Sequence, residues 1–176
     1  MTDPKQKFVF FDRDGTLIEH IHYLDNPDLV KLKSDAIPAM TILKMESFKF
    51  GVITNQSVIG RRLSTVEKVN SVNKKLVSLL NREEIDLEFI EICPHAPIEN
   101  CICRKPAPKL GLDAISKFDI DVSNSFMIGD ALSDIEFGIK LGFKTILLSS
   151  LDSTIGVAHF VTNSLLSASQ WIVSEN

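Results

Sequence analysis

Five short apolar segments punctuate the chain: FVFF (8–11), FKFGVIT (48–54), LEFIEI (87–92), SFMIGD (125–130) and KTILLS (144–149). Each ends in polar or small residues. Segments this short, rich in Val, Ile and Phe and nearly continuous in apolar character, predict strands buried on both faces. HFVT (159–162) is a weaker sixth candidate. Between the strands, apolar residues recur at spacings of three and four over 35–46 and 64–81, which predicts helices. Ser64 and Glu67 have the spacing of a capping box for the second of these. Further helices are expected at 108–118, at 132–141 with Gly142 as its stop, and at 164–174. Strand alternating with helix implies an α/β fold, a Rossmann-like three-layer sandwich with a mainly parallel sheet. The 176 residues contain no internal repeat, linker or low-complexity stretch, so residues 1–176 are read as a single domain.

In such sheets ligands gather outside the carboxyl ends of the strands. Here Asp12 and Asp14 follow the first strand, Thr54 and Asn55 the second, Cys93 and His95 the third, and Asp130 the fourth. The unusual chemistry is therefore expected on one edge. In FFDRDGT (10–16), two aspartates two positions apart in a loop after a strand can face one ligand. Gly15 permits a tight turn there, and the Thr16 hydroxyl is expected to hold it. A calcium loop is excluded, because its ligand series and terminal Glu are missing.

FVFFDRDGT, VITNQS, CRKP and MIGDALSD, in that order, resemble the four motifs of the haloacid dehalogenase-like phosphatases. The resemblance covers about residues 8–150. It implies a magnesium-dependent phosphomonoester hydrolase with Asp12 as nucleophile and Asp14 as general acid and base. It also implies magnesium held by the Asp12 carboxylate, the Asp14 main-chain oxygen and Asp130. Thr54 and Asn55 would bind the phosphoryl oxygens, and Lys105 would stabilise developing charge and hold Asp12. Asp134 would orient Lys105 or a metal-bound water, or else serve only as an acidic residue at a helix start.

The only three cysteines, Cys93, Cys101 and Cys103, lie within eleven positions and enclose His95. An odd, tightly clustered set does not suit a disulfide framework. Three sulfurs and one nitrogen suit a closed, structural zinc site instead. Arg104 and Lys105 follow directly, so this zinc-binding loop would set the backbone from which both cations reach the cleft.

The motif set and this cluster together resemble the zinc-bearing, histidinol-phosphatase-like branch of the family, which lacks a large cap domain. No insertion here is long enough to be one. The resemblance points to removal of the 7-phosphate of D-glycero-D-manno-heptose 1,7-bisphosphate, with histidinol phosphate or another small sugar phosphate as the alternative. His20, His22 and Tyr23, in the run after the first motif, would touch the sugar, and Arg13 would also bind substrate. Arg104 would grip the phosphate that is not transferred. The five-residue spacer between His95 and Cys101, and Ala131 in place of the lysine of the heptose pattern, fit histidinol phosphate better. A reading of another class is an inactive zinc-stabilised binding protein.

The formal charge of −4 offers no general attraction for nucleic acid or a membrane surface. No apolar run approaches the roughly 20 residues that cross a bilayer. The start, MTDPKQK, does not resemble a secretory signal. A cytoplasmic monomer acting on a small phosphorylated substrate is the expectation, with thiols kept reduced to load zinc.

Overall fold

The four side chains of β1 (Phe8–Phe11) are fully buried. Period-two alternation sends Val9 and Phe11 to one face of the sheet and Phe8 and Phe10 to the other. A strand that is apolar on both sides needs cover on both sides, and the rest of the chain supplies it. The computed structural model describes residues 5–150 and 158–175.

Six strands form one sheet: β1, β2 (Lys49–Asn55), β3 (Phe89–Cys93), β4 (Phe126–Gly129), β5 (Lys144–Leu148) and β6 (Phe160–Thr162). Their order is β3-β2-β1-β4-β5-β6 and every pairing is parallel. All six fall on the predicted segments. The helices α1 (Ala36–Met45), α3 (Val66–Asn81), α4 (Lys109–Phe118), α5 (Leu132–Leu141) and α6 (Leu165–Ser174) likewise match to within two residues at each end. A single-turn helix, α2 (Ser57–Gly60), follows β2 and was not expected.

One face carries the larger, mixed core. Met40 and Leu43 of α1, Val72, Leu76 and Leu80 of α3, and Leu165 and Ile172 of α6 pack there on Val9, Phe11, Val52 and Ile128. The other face is aromatic, with α4 and α5 over Phe8, Phe10, Phe89 and Phe143. Ring centroids of Phe10 and Phe143, and of Phe89 and Phe118, are each 4.8 Å apart. Spacings in this range add to simple burial.

Gly142 ends α5 with φ +83°, as expected for a left-handed stop. The capping box at Ser64 is not formed. Thr65 caps α3 instead, its Oγ1 accepting from the Lys68 N–H at 3.4 Å. Ser64 Oγ donates to Asp25 Oδ2 at 2.8 Å, and Lys68 Nζ reaches the same oxygen at 3.2 Å. The helix starts one residue later than that spacing implies, and the Ser64 hydroxyl proton goes to a charged acceptor from the loop before α1.

The topology has one consequence for chemistry. The chain runs outward from β1 to β3, then returns to the other side of β1 for β4 and continues to β6. The direction of winding reverses between β1 and β4, and a crevice opens at their carboxyl ends.

Candidate active site

Asp12 follows β1 directly, and its N–H donates to the Ile128 carbonyl of β4 at 3.0 Å. That bond extends the β1–β4 pairing by one step and seats Asp12 over the crevice. Asp130 leaves the end of β4, and Asp134 lies in the first turn of α5. Carboxylate oxygens of Asp12, Asp130 and Asp134 all lie within 4.8 Å of one another. Lys105, 3% exposed, enters from the side of β2, with Nζ 2.6 Å from Asp12 Oδ1 and 2.8 Å from Asp134 Oδ1. Nζ also donates to the Ile53 carbonyl.

Asp134 combines the two roles weighed for it. One oxygen pairs with Lys105, and the other accepts from the Ala131 N–H at 3.1 Å at the start of α5.

Three carboxylates against one ammonium leave the cluster short of positive charge. Partial burial, reinforced by Asp12 and Asp134, pushes the Asp130 carboxyl up to about 6. Burial pulls Lys105 down, but Asp12 and Asp134 outweigh it and the ammonium is held above its ordinary value. A hard, oxygen-seeking cation suits this donor set. Gly15 makes the crowding possible. Its φ is +83°, and a Cβ there would overlap the Asp130 carboxylate.

The remaining motif residues close around this cluster. Thr54 is buried at the end of β2, and its Oγ1 accepts from Gln56 Nε2 at 2.8 Å, leaving the hydroxyl proton for another acceptor. The Asn55 side chain bonds the Lys105 main chain twice, Nδ2 to the carbonyl at 3.1 Å and Oδ1 from the N–H at 3.0 Å. Lys105 is thus fixed at both its backbone and its tip. Asp14 faces the crevice with a carboxylate held by Gln56 and Arg13.

Two expectations need correction. Arg13 is not placed to bind substrate. Its side chain is fully buried and its guanidinium is spent on Asp14 and Asn73, because an arginine with no access to solvent must find its acceptors within the protein. The Thr16 hydroxyl does not hold the DxDGT turn, and among the described residues it has no hydrogen-bond partner. Main-chain bonds do that work: Gly15 N–H to the Ile18 carbonyl at 2.9 Å, and Leu17 and Ile18 N–H to Arg13, each at 3.1 Å.

His20, His22 and Tyr23 line a pocket of about 260 Å³ with Asp14, Asn55, Gln56 and Ser57. His22 stacks on Tyr23, centroids 3.8 Å apart. A neighbouring cleft is lined by Asp12, Thr54, Arg104, Lys105, Asp130 and Asp134. Asp14, His20 and Asn55 border both. Arg104 makes one long contact, Nη1 to the His95 carbonyl at 3.5 Å.

The thiol loop sits at the carboxyl end of β3. Sγ of Cys93, Cys101 and Cys103 are 3.3–3.5 Å apart, and His95 Nδ1 is 3.2 Å from Cys103 Sγ and 3.7 Å from Cys93 Sγ. These separations exclude disulfides, whose sulfurs lie about 2.0 Å apart. They are near the edge of a tetrahedron with metal–sulfur bonds of about 2.3 Å. Burial pushes the Cys93 thiol up to about 12. A cation would reverse that cost by binding the thiolates.

Gln56 and Asn73 escaped the sequence reading. Gln56 carried a signal in its place, a polar residue straight after Thr54-Asn55. Asn73 carried another, as the one amide on the buried stripe of α3 among Val69, Val72, Leu76 and Leu80.

A hydrolase-like family model, described as HAD-hydrolase-like, matches residues 102–153. The chain is 31% identical to the D-glycero-beta-D-manno-heptose-1,7-bisphosphate 7-phosphatase of Neisseria meningitidis, with 97% of this chain and 96% of that protein covered. The chain belongs to the haloacid dehalogenase-like phosphatases. It lies in their branch of histidinol-phosphate and heptose-bisphosphate phosphatases.

The histidine biosynthesis bifunctional protein HisB of Blochmanniella floridana is 35% identical over 143 residues, 80% of this chain. The chain spans only about 40% of the length of such HisB relatives. In fold, this phosphatase superposes on the D,D-heptose 1,7-bisphosphate phosphatase of B. bronchiseptica, crystallised with magnesium and phosphate, with a TM-score of 0.87. Sequence identity is 23%, and the superposition covers 97% of this chain and all of that one. Among the described residues, no helix of this phosphatase is long and apolar enough to cross a membrane.

Proposed function

We propose that this phosphatase removes the 7-phosphate of D-glycero-D-manno-heptose 1,7-bisphosphate through an aspartyl-phosphate on Asp12. The observation that carries the reading is the end-to-end match, over 96% or more of both chains, to a 7-phosphatase of that substrate. The pocket of about 260 Å³ beside Asp14 supports it, being of a size for a small phosphorylated sugar.

Asp12 attacks phosphorus in line with the leaving oxygen. Lys105 holds that carboxylate by Oδ1 and offers its charge to the transferring group, while Asp134 keeps the ammonium in place. The Thr54 hydroxyl, with Gln56 on its oxygen, donates to a phosphoryl oxygen. Asp14 gives a proton to the departing alkoxide and then takes one from the water that hydrolyses the intermediate. Asp12, Asp130 and the Asp14 carbonyl would hold magnesium, which when bound neutralises the phosphate so that a carboxylate can approach it. Arg104, at the cleft wall, binds the phosphate that stays. Cys93, His95, Cys101 and Cys103 would hold a structural zinc, which when bound fixes the loop that carries Arg104 and Lys105.

A second reading, histidinol phosphate as substrate, has its own support in the short spacer between His95 and Cys101 and in the HisB matches. The test is phosphate release with magnesium from both anomers of the heptose bisphosphate and from histidinol phosphate, with Asp12→Asn as control. Preference for one bisphosphate anomer supports the first reading. Preference for histidinol phosphate replaces it with the second.

A further inference from the structure

Arg13 is a full positive charge sealed inside the protein, and no step above uses it. It lies between the nucleophile and the proton donor, yet its side chain has no exposed surface. Its donors divide two ways. Nε donates to Asp14 Oδ2 at 3.0 Å and Nη2 to Asp14 Oδ1 at 3.2 Å, with Nη2 also 3.0 Å from Oδ2, while Nη1 donates to Asn73 Oδ1 at 2.7 Å. Asn73 lies 60 residues away, on the buried side of α3 and outside the cleft. On the other flank, Gln56 Nε2 donates to Asp14 Oδ2 at 2.7 Å and to Thr54 Oγ1 at 2.8 Å.

These contacts load the two Asp14 oxygens unequally. Oδ2 takes two short bonds, from Arg13 Nε and Gln56, whereas Oδ1 has one longer bond. A proton on a carboxyl held this way belongs on the oxygen with fewer donors, Oδ1. A guanidinium is planar and rigid, so its setting fixes the plane of the carboxylate it forks. What fixes the guanidinium is the short bond to Asn73.

We propose that Asn73 is a positioning residue for Asp14, acting through Arg13 so that the proton on Oδ1 faces the leaving oxygen. The inference rests on the reading of Asp14 as general acid. In the step concerned, a bond forms between Asp12 and phosphorus as the bond from phosphorus to the leaving oxygen breaks. The electron pair stays on the leaving oxygen, which takes the Asp14 proton. An alkoxide needs that proton to depart, but a nitrophenolate does not. Damage to the Asn73–Arg13 link must therefore fall on alkyl phosphates and spare aryl ones.

The experiment compares kcat/KM for an alkyl ester, heptose 1,7-bisphosphate or histidinol phosphate, whichever is turned over, with kcat/KM for p-nitrophenyl phosphate. This constant covers steps up to leaving-group departure, and the ratio within one sample cancels any difference in folded fraction. Asn73→Leu keeps the size and removes the acceptor, and the alkyl-to-aryl ratio is expected to fall about tenfold, part of the range for a general acid. Asn73→Asp keeps an acceptor for Nη1, and its ratio should stay within about threefold of the parent. Asp14→Asn, the control, should lower the ratio about a hundredfold. An unchanged ratio in Asn73→Leu beside a fallen one in Asp14→Asn overturns the proposal and leaves Asn73 a packing residue. An unchanged ratio in Asp14→Asn overturns the general-acid reading and takes the proposal with it.

Discussion

The thiol loop and the carboxylate crevice each gather the kinds of atom that bind cations, but they are assembled in opposite ways. Cys93, His95, Cys101 and Cys103 come from one eleven-residue stretch, and a single loop brings their ligand atoms together. Asp12, Asp130 and Asp134 come from opposite ends of the chain and meet only because β4 pairs with β1. The loop offers three soft sulfurs and one imidazole nitrogen, a full tetrahedral set. The crevice is open, with hard donors and a buried ammonium to counter them. The two regions are joined by a three-residue stretch, Cys103 facing the loop, Lys105 the crevice and Arg104 between them. Holding a shape and doing chemistry are thus divided between neighbouring sites, and Asn55 clamps the backbone at the boundary.

The comparison breaks most sharply at Asp12. Asp12→Asn should abolish measurable phosphate release while leaving the zinc content of the loop unchanged, as metal analysis of the same sample would report. Lys105→Met comes next. Loss of one preorganised donor should lower kcat by about 10²–10³-fold. The carboxylates left without their buried partner should also cost about 3–5 kcal/mol in a denaturant titration. A variant with parental stability would show that Lys105 is not the cluster's counter-charge.

Zinc removal tests the coupling itself. After chelation and return of magnesium alone, kcat should drop about tenfold or more, as when the groups supporting an active-site residue are lost. Added zinc should restore it. Full activity without zinc would mean that Asn55 holds Lys105 unaided. The smallest effect is expected from Gly15→Ala. The left-handed backbone alone costs roughly 1–2 kcal/mol, seen as a thermal midpoint several degrees lower for a chain of this size. Displacement of Asp130 should weaken magnesium binding by calorimetry. Unaltered magnesium affinity would show that Asp130 has room to move.

Much of this was readable from the residues in order. The strands were legible because a buried parallel strand is a short, nearly continuous apolar run, and FVFF and the ILL of KTILL satisfy that whatever lies beside them. The thiol loop was legible because spacing alone brings its ligands together. Gly142 was legible because a left-handed stop needs little beyond its own backbone. Reading failed where a side chain had a choice of partners. Ser64 had the spacing of a cap and turned to Asp25. Thr16 had the chemistry to hold a turn that the main chain holds already. Arg13, read as a hand for substrate, is directed inward to an amide on α3.

The sequence by itself therefore determined the class of fold, the ends of strands where polar chemistry collects, and the ligand set of the loop. Each depends on interactions between near neighbours in the chain. Only the tertiary structure decided that β1 and β4 lie side by side, that Asp134 shares Lys105 with Asp12, that Gln56 bonds Asp14 and that Asn73 bonds Arg13. Those outcomes depend on which distant groups a closed core forces into contact. There a buried charge must take whatever partner is within reach.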